Sequence, residues 1–417
     1  MHKHIKNKIL VVGLGYVGLP LALNLADHYD VIGYDQSKKR VNDLRKKTDI
    51  NKEIKKKSFN KKKIKFIFDK KKLPDDCNIF IITVPTPVDR FNKPDLQSLS
   101  SACSLISKKY KKNDIVIIES TIAPGTTENF CLNIICKNTK LKKSEINLCF
   151  SPERINPGDK ENQLRNLTKV ISGNNKSTIL RCKSIYEKIC KKIFVAETIK
   201  IAELSKLFEN IQRDVNISLV NEMFKICDIY KINCQELLKI CKTKWNFLDF
   251  KPGLVGGHCI SVDPYYLIDN LKKKNKKLDL IPISRKINEN FSNYILKKIL
   301  NTISKNNSKK ILFCGIGYKD NVTDIRNSKY LSLFEKLNSK KFNITLFREP
   351  NQILKKKYRQ TSKLNFSKFD TIIFGSKNEK ILNYINKEKL KFKNKLFINL
   401  FGKNLPTDNK EVKVINF

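Results

Sequence analysis

Residues 8–20 read KILVVGLGYVGLP, and this stretch decides the fold. Lys8–Val12 is a short apolar run rich in β-branched residues and stopped by a glycine, the pattern of a buried strand. Gly13, Gly15 and Gly18 then follow at GxGxxG spacing, and an apolar helical pattern continues through Leu25. Strand, glycine turn and helix in that order make a dinucleotide fingerprint. Gly13 makes the turn, Gly15 lets the backbone approach a pyrophosphate, and Gly18 lets helix pack close on strand, with phosphate charge at the helix N-terminus. A second strand, Asp30 to Tyr34, ends at Asp35, about 20 residues beyond the glycines. A carboxylate there accepts from ribose hydroxyls and repels a 2′-phosphate, so NAD is expected and not NADP.

Outward from this unit, strands are expected at Ile79 to Val84, Ile115 to Glu119 and Asn147 to Phe150. Polar or Pro-containing clusters end each of them: Thr83, Pro85, Thr86 and Pro87; Glu119, Ser120, Thr121 and Pro124; Ser151, Pro152, Glu153 and Arg154. In an open α/β sheet the C-terminal ends of the strands are where ligands bind. Turn and capping roles compete for any single cluster, but three at successive strand ends point to a site. The lysine-rich segment from Lys38 to Lys72 reads as an exposed helical insert.

From Glu197 to Tyr230 apolar residues recur at helical spacing, predicting one long amphipathic helix. Lys206 and Asn210, four apart, share a face and could present an ammonium and an amide to one ligand, or be a solvated lysine and a neutral neighbour. Further helices are expected over Gln235–Lys242 and from about Pro282 to Ser304. A second α/β unit begins at the strand Lys309 to Cys314. Its turn, GIGYKDNVTDIRNS, lacks the third glycine and offers Lys319, Asp324 and Arg326; cations there suit a phosphorylated ligand, although Asp324 and Arg326 could also pair with each other. A helix over Ser328 to Leu337 and strands at Asn343–Phe347, Asp370–Gly375 and Leu396–Leu400 complete it. The expected domains are 1–195, 196–304 and 305–417: α/β, with two Rossmann-like doubly wound domains joined by a long central helix and a helical middle domain.

The middle region carries PGLVGGHCISVDPYY at Pro252 to Tyr266. Gly253, Gly256 and Gly257 allow a tight turn that presents Cys259, with His258 before it and Asp263 four residues on. A thiolate stabilised by nearby charge is a strong nucleophile, and a carboxylate near it can hold a water or move a proton. The competing reading is a small buried thiol in a glycine-rich turn.

Composition bounds the function. At 417 residues the chain is too long for one ordinary core. The net charge of +44 comes from lysines scattered through every element, which reads as a solvated surface and not as a nucleic-acid patch. Neither a long apolar run nor a leader-like segment is legible, so no membrane partner and a cytoplasmic location are expected. Twelve cysteines without a CxxC pair fit a reducing compartment, with neither a disulfide frame nor a metal site.

The motifs GLGYVGLP, TVPTP, ESTIAPGTTE, SPERINPGD, the Lys206/Asn210 helix, GGHCISVDPYYL and GYKDNVTDIRNS stand in one order, and by them the chain resembles the UDP-glucose/GDP-mannose dehydrogenase family over almost its whole length. GGHC and VDPYY make it most similar to the branch acting on UDP-N-acetylhexosamines, UDP-GlcNAc or UDP-GalNAc, in capsule and O-antigen synthesis. The alternatives are UDP-glucose, UDP-N-acetylmannosamine or GDP-mannose as substrate, or an inactive nucleotide-sugar-binding protein. The resemblance implies a four-electron oxidation of the sugar C6 alcohol to a carboxylate with two NAD, through a thiohemiacetal and thioester on Cys259. It implies catalytic roles for Cys259, Lys206, Asn210, Asp263, Glu153 and Thr121. Cofactor contacts are implied for Gly13, Gly15, Tyr16, Val17, Gly18, Asp35, Arg40, Thr86, Thr121 and Arg326. Substrate contacts are implied for Glu153, Arg154, Ile155, Lys206, Asn210, Leu248, Phe250, Pro252, Gly253, Gly256 and Lys319, and a homodimer through the central helix. His258 either orders the loop or takes part in the chemistry. The chain departs from the family pattern at Ser261, at Arg348 and Glu349 before Pro350, and near Trp245, where no arginine stands and Lys244 or Lys251 could substitute for one.

Overall fold

The computed structural model describes residues 7–51, 53–60, 63–154, 164–340, 342–349, 352, 354–388, 392, 394–400, 405 and 412–416. The chain divides into two compact units, residues 1–209 with 265–277, and residues 210–264 with 278–417.

In the first unit the chain runs β1 (Lys8–Val12), α1 (Gly18–Leu25), β2 (Asp30–Tyr34), α2 (Lys38–Arg45), β3 (Ile64–Ile67), β4 (Ile79–Ile82), α3 (Gln97–Ser107), β5 (Ile115–Ile118), α4 (Leu132–Thr139), β6 (Asn147–Phe150), β7 (Thr168–Gly173), α5 (Lys176–Tyr186) and β8 (Lys192–Val195). The sheet order is β3-β2-β1-β4-β5-β6-β7-β8. All pairs are parallel except β6 with β7. Parallel strands covered on both faces need continuous apolar runs, and β4 (IFII) and β5 (IVII) are fully buried. Val12 stands in register with Ile82, Ile82 with Ile118, and Ile118 with Phe150. That register gathers the three polar clusters on one edge of the sheet.

The segment from Lys38 to Lys72 is not an exposed helical insert. Among its described residues only Lys38–Arg45 is α-helical, and Ile64–Ile67 is a sheet strand parallel to β2. Phe59 and Phe66 are buried, and the Arg45 guanidinium donates to the Phe66 carbonyl. Lysines on the outward positions of a short edge strand hide the alternation that its inward residues carry.

The long α6 (Ile199–Tyr230) spans the division between the units. It is followed by α7 (Cys234–Cys241), α8 (Asp263–Lys272) and α9 (Leu280–Lys305). The second unit then builds β9 (Lys310–Cys314), α10 (Lys329–Asn338), β10 (Asn343–Phe347), β11 (Gln360–Thr361), β12 (Thr371–Phe374), α11 (Glu379–Glu388), β13 (Lys395–Asn399) and β14 (Val412–Asn416). Its sheet, in the order β11-β10-β9-β12-β13-β14, is parallel throughout. Phe313, Phe334, Phe374 and Phe397 are among its fully buried side chains.

Candidate functional site

The turn after β1 has the geometry that its glycines require. Gly13 sits at φ +96°, in the region L-residues avoid, and a Cβ on Gly18 would fall 1.9 Å from the Gly13 oxygen and 2.3 Å from Thr83 Oγ1. A Cβ on Gly15 would meet nothing within 4 Å, so that side of the turn lies open to a ligand. Asp35 Oδ2 accepts from the Leu14 amide at 3.0 Å and Oδ1 from the Ser37 amide at 2.8 Å. Each oxygen keeps a lone pair for a ribose hydroxyl. Arg40 braces the turn: Nε donates to the Leu14 carbonyl at 2.9 Å, Nη1 binds buried Asp49 at 2.7 Å, and Nη2 is buried without a partner among the described residues. Tyr16 and Val17 are half-buried on the turn. An open glycine, amides at the start of α1, an acid at the end of β2 and an orphaned guanidinium nitrogen fit a dinucleotide.

At the neighbouring strand ends Thr86 Oγ1 donates to the Thr121 carbonyl at 2.6 Å, and Tyr266 Oη to the Thr86 carbonyl at 2.7 Å. Glu153, just beyond β6, accepts from Lys206 Nζ at 3.0 Å, with side-chain exposures of 11% and 7%. Burial pushes the Glu153 carboxyl up from its ordinary value, and the Lys206 ammonium opposes this. Arg154 pairs with Glu209 and donates to the Thr168 carbonyl. Ile155 lies outside the described residues.

In the second unit Asn210 Nδ2 donates to Asp263 Oδ2 at 2.6 Å, and both side chains are buried. The Cys259 carbonyl accepts the Asp263 amide at 2.8 Å and the Val262 amide at 2.9 Å, so the turn that leads into α8 fixes the cysteine backbone. Among the twelve cysteines, none in a disulfide, Cys259 alone is exposed. Gly257 lies at φ +88°, and a Cβ there would meet the Tyr318 ring at 2.6 Å. His258 packs edge-on against Tyr318, with Nε2 3.7 Å from Asp324 Oδ2. Asp324 also pairs with Arg326 at 2.6 Å. Burial alone would raise the Asp324 carboxyl, but His258 and Arg326 hold it well below the carboxylate range. Lys319 is half-buried, and Leu248 is exposed beside half-buried Phe250 and Pro252.

The sequence reading missed several buried polar residues. Glu203 accepts from the Gly125 and Thr127 amides at 2.5 and 2.8 Å. Asn221 pairs with the Gly253 backbone, its Oδ1 accepting at 2.8 Å and its Nδ2 donating at 3.1 Å. Arg285 is buried against Asp214 at 2.6 Å. A signal existed on α6: Glu203, Lys206, Asn210, Asp214, Ser218 and Asn221 recur every three or four residues, and all six are buried. A polar stripe at helical period on a buried face marks a bonded network.

Residues 7–190 match the NAD binding domain of the UDP-glucose/GDP-mannose dehydrogenase family, and residues 200–290 its central domain. The chain is 38% identical over 346 residues to a UDP-N-acetyl-D-glucosamine 6-dehydrogenase of Pseudomonas aeruginosa, covering 82% of each chain. It is 38% identical over 344 residues to Protein CapL of Staphylococcus aureus, covering 81% of each. The solved structure of the UDP-N-acetyl-mannosamine dehydrogenase Cap5O from Staphylococcus aureus superposes with a TM-score of 0.84 at 28% identity, covering 98% of both chains. With an NAD-type glycine turn, a buried lysine–carboxylate pair and an exposed cysteine on one chain, the protein belongs to the UDP-glucose/GDP-mannose dehydrogenase family and is an NAD-dependent nucleotide-sugar 6-dehydrogenase.

Proposed function

We propose that the substrate is a UDP-N-acetylhexosamine, UDP-GlcNAc or UDP-GalNAc, whose C6 alcohol is oxidised to the carboxylate through a thiohemiacetal and a thioester on Cys259. The observation that carries this reading is that Cys259 is the one exposed thiol of twelve, set at the mouth of a turn fixed by Asp263. The relatives named as UDP-N-acetyl-D-glucosamine 6-dehydrogenases, at 36–38% identity, support the substrate class. A UDP-N-acetylmannosamine reading is the second choice, favoured by the names of the structural neighbours at 28%.

When bound, NAD would supply the hydride acceptor, two molecules per sugar. Gly13, Gly15 and Gly18 would shape the turn that holds its pyrophosphate, and Asp35 would hold its ribose, with Tyr16, Val17, Arg40, Thr86, Thr121 and Arg326 assigned to its remaining contacts. The first oxidation gives an aldehyde. The Cys259 thiolate adds to that carbon, and loss of a second hydride leaves a thioester. Water then cleaves the carbon–sulfur bond, releasing the carboxylate and restoring the thiol. Lys206 and Asn210 are assigned to the developing oxyanion, Asp263 and Thr121 to proton transfer, and Glu153 to the hydrolysis. Arg154, Ile155, Leu248, Phe250, Pro252, Gly253, Gly256 and Lys319 are assigned to the nucleotide sugar.

A panel of UDP-sugars with NADH counting tests this. Two NADH per UDP-N-acetylhexosamine, and at most one with Cys259→Ala, are expected. Two NADH from Cys259→Ala would end the thioester route, and a higher kcat/KM for UDP-glucose would end the substrate assignment. The product feeds capsule or O-antigen polysaccharide, and twelve unbridged cysteines suit the cytoplasm. Three parts, 1–195, 196–304 and 305–417, carry cofactor, cysteine loop and UDP-sugar respectively. Exposed Phe208, Leu219, Ile226 and Ile229 on α6 support a homodimer through that helix, which light scattering will read as twice the 48.4 kDa chain mass.

A further inference from the structure

Beneath Glu153 lies a second buried charged group to which the mechanism above gives no task. Lys169 on β7, Glu119 at the end of β5 and Tyr186 at the end of α5 are 3%, 3% and 0% exposed. Lys169 Nζ stands 2.9 Å from Glu119 Oε2, and the Tyr186 hydroxyl donates to Glu119 Oε1. The ammonium also lies 4.9 Å from the centre of the Tyr186 ring. Its other contacts point at the site, to the Pro152 carbonyl at 3.2 Å and, more weakly, the Ser151 carbonyl at 3.4 Å. These are the two residues immediately before Glu153. Replacing such a pair by apolar groups is often neutral or stabilising, so stability alone is a poor account of it.

We propose that Lys169, held by Glu119 and Tyr186, is the positioning residue for Glu153. The ammonium pins the carbonyls of the two residues that lead into Glu153, and so fixes where its carboxylate meets Lys206. The charges facing Glu153 are Lys206 from α6, Lys169 from β7 and Glu119 from β5. The cations favour its ionised form and Glu119 disfavours it, so the cluster sets both place and charge. No bond is made or broken by these three residues. This inference rests on the assignment of Glu153 to thioester hydrolysis.

The test uses the full-length enzyme and two variants, Glu119→Gln and the double variant Lys169→Met with Glu119→Gln, which removes both charges together. For the double variant we expect kcat at least tenfold lower, KM for NAD within twofold, and a sugar adduct on Cys259 visible by intact mass during turnover. For Glu119→Gln, with Lys169 left unopposed, the acid limb of the kcat profile moves to lower pH. Should the double variant fail to fold, the direction of that limb decides. Wild-type kcat in the double variant without an adduct, or an acid limb unmoved or moved to higher pH in Glu119→Gln, reduces the cluster to a structural ion pair. A wild type that itself makes no Cys259 adduct and no NADH defeats the functional reading instead, so the two failures are distinguishable.

Discussion

Arg285→Met cuts a buried polar chain that ends on the loop leading to Cys259. Arg285 Nη1 donates to Asp214 Oδ1 at 2.6 Å, with side-chain exposures of 2% and 1%, and Nη2 binds Glu289. Asn288 Nδ2 donates to the same Asp214 oxygen at 2.8 Å, Asn221 Nδ2 donates to Asn288 Oδ1 at 2.9 Å, and Asn221 brackets the Gly253 backbone. Methionine fills much of the arginine volume, so the chief loss is the partner of a buried carboxylate. Breaking such a pair costs about 3–5 kcal/mol. At about 2–4 °C per kcal/mol for a unit of this size, the melting temperature falls by about 6–20 °C. Burial pushes the Asp214 carboxyl up even with Arg285 opposing it, and without Arg285 it rises further. A carboxyl raised above its unfolded value gives full stability below the unfolded pKa and loses it as pH rises through the folded one. The gap between variant and wild type therefore widens from pH 5 to pH 8. Adding Asp214→Asn removes the orphaned charge and restores most of the loss. Melts of the four proteins at both pH values give the cycle, and KM for the UDP-sugar should rise more than KM for NAD. A loss below about 1 kcal/mol at pH 8, or a gap independent of pH, would show that the Asp214 carboxylate does not depend on Arg285.

Two further outcomes follow from other sites. Gly18→Ala places a methyl 1.9 Å from the Gly13 oxygen, so the turn cannot keep its shape; NAD affinity should fall by more than about 100-fold, roughly 2.7 kcal/mol, and calorimetry within threefold of wild type would show that the turn yields. Glu203, fully buried, is pushed up to about 7 by burial against the lowering effect of the Thr127 and Gly125 amides. Its stabilisation is complete below its unfolded pKa and lost as pH rises through about 7. Glu203→Gln lacks that loss, so from pH 5 to pH 8 relative stability should shift toward the variant by about 2–3 kcal/mol; parallel melting curves for the two proteins would contradict this.

The features legible before folding are those written in short-range pattern. The glycines of residues 13–18 need only their neighbouring strand and helix, and the apolar period of α6 runs within one segment, so both were legible. The Lys38–Lys72 segment misled because side chains on the outer positions of an edge strand report solvent and not the sheet. The tertiary structure alone decided which polar residues are buried and what they meet. Lys206 finds Glu153 and Asn210 finds Asp263 across 53 positions, and Asp214 finds Arg285 across 71. A lysine on a chain of net charge +44 looks solvated until the fold removes water from it. Once water is gone, an unpaired charge costs too much to persist, and the partner can come from any element that the packing brings near.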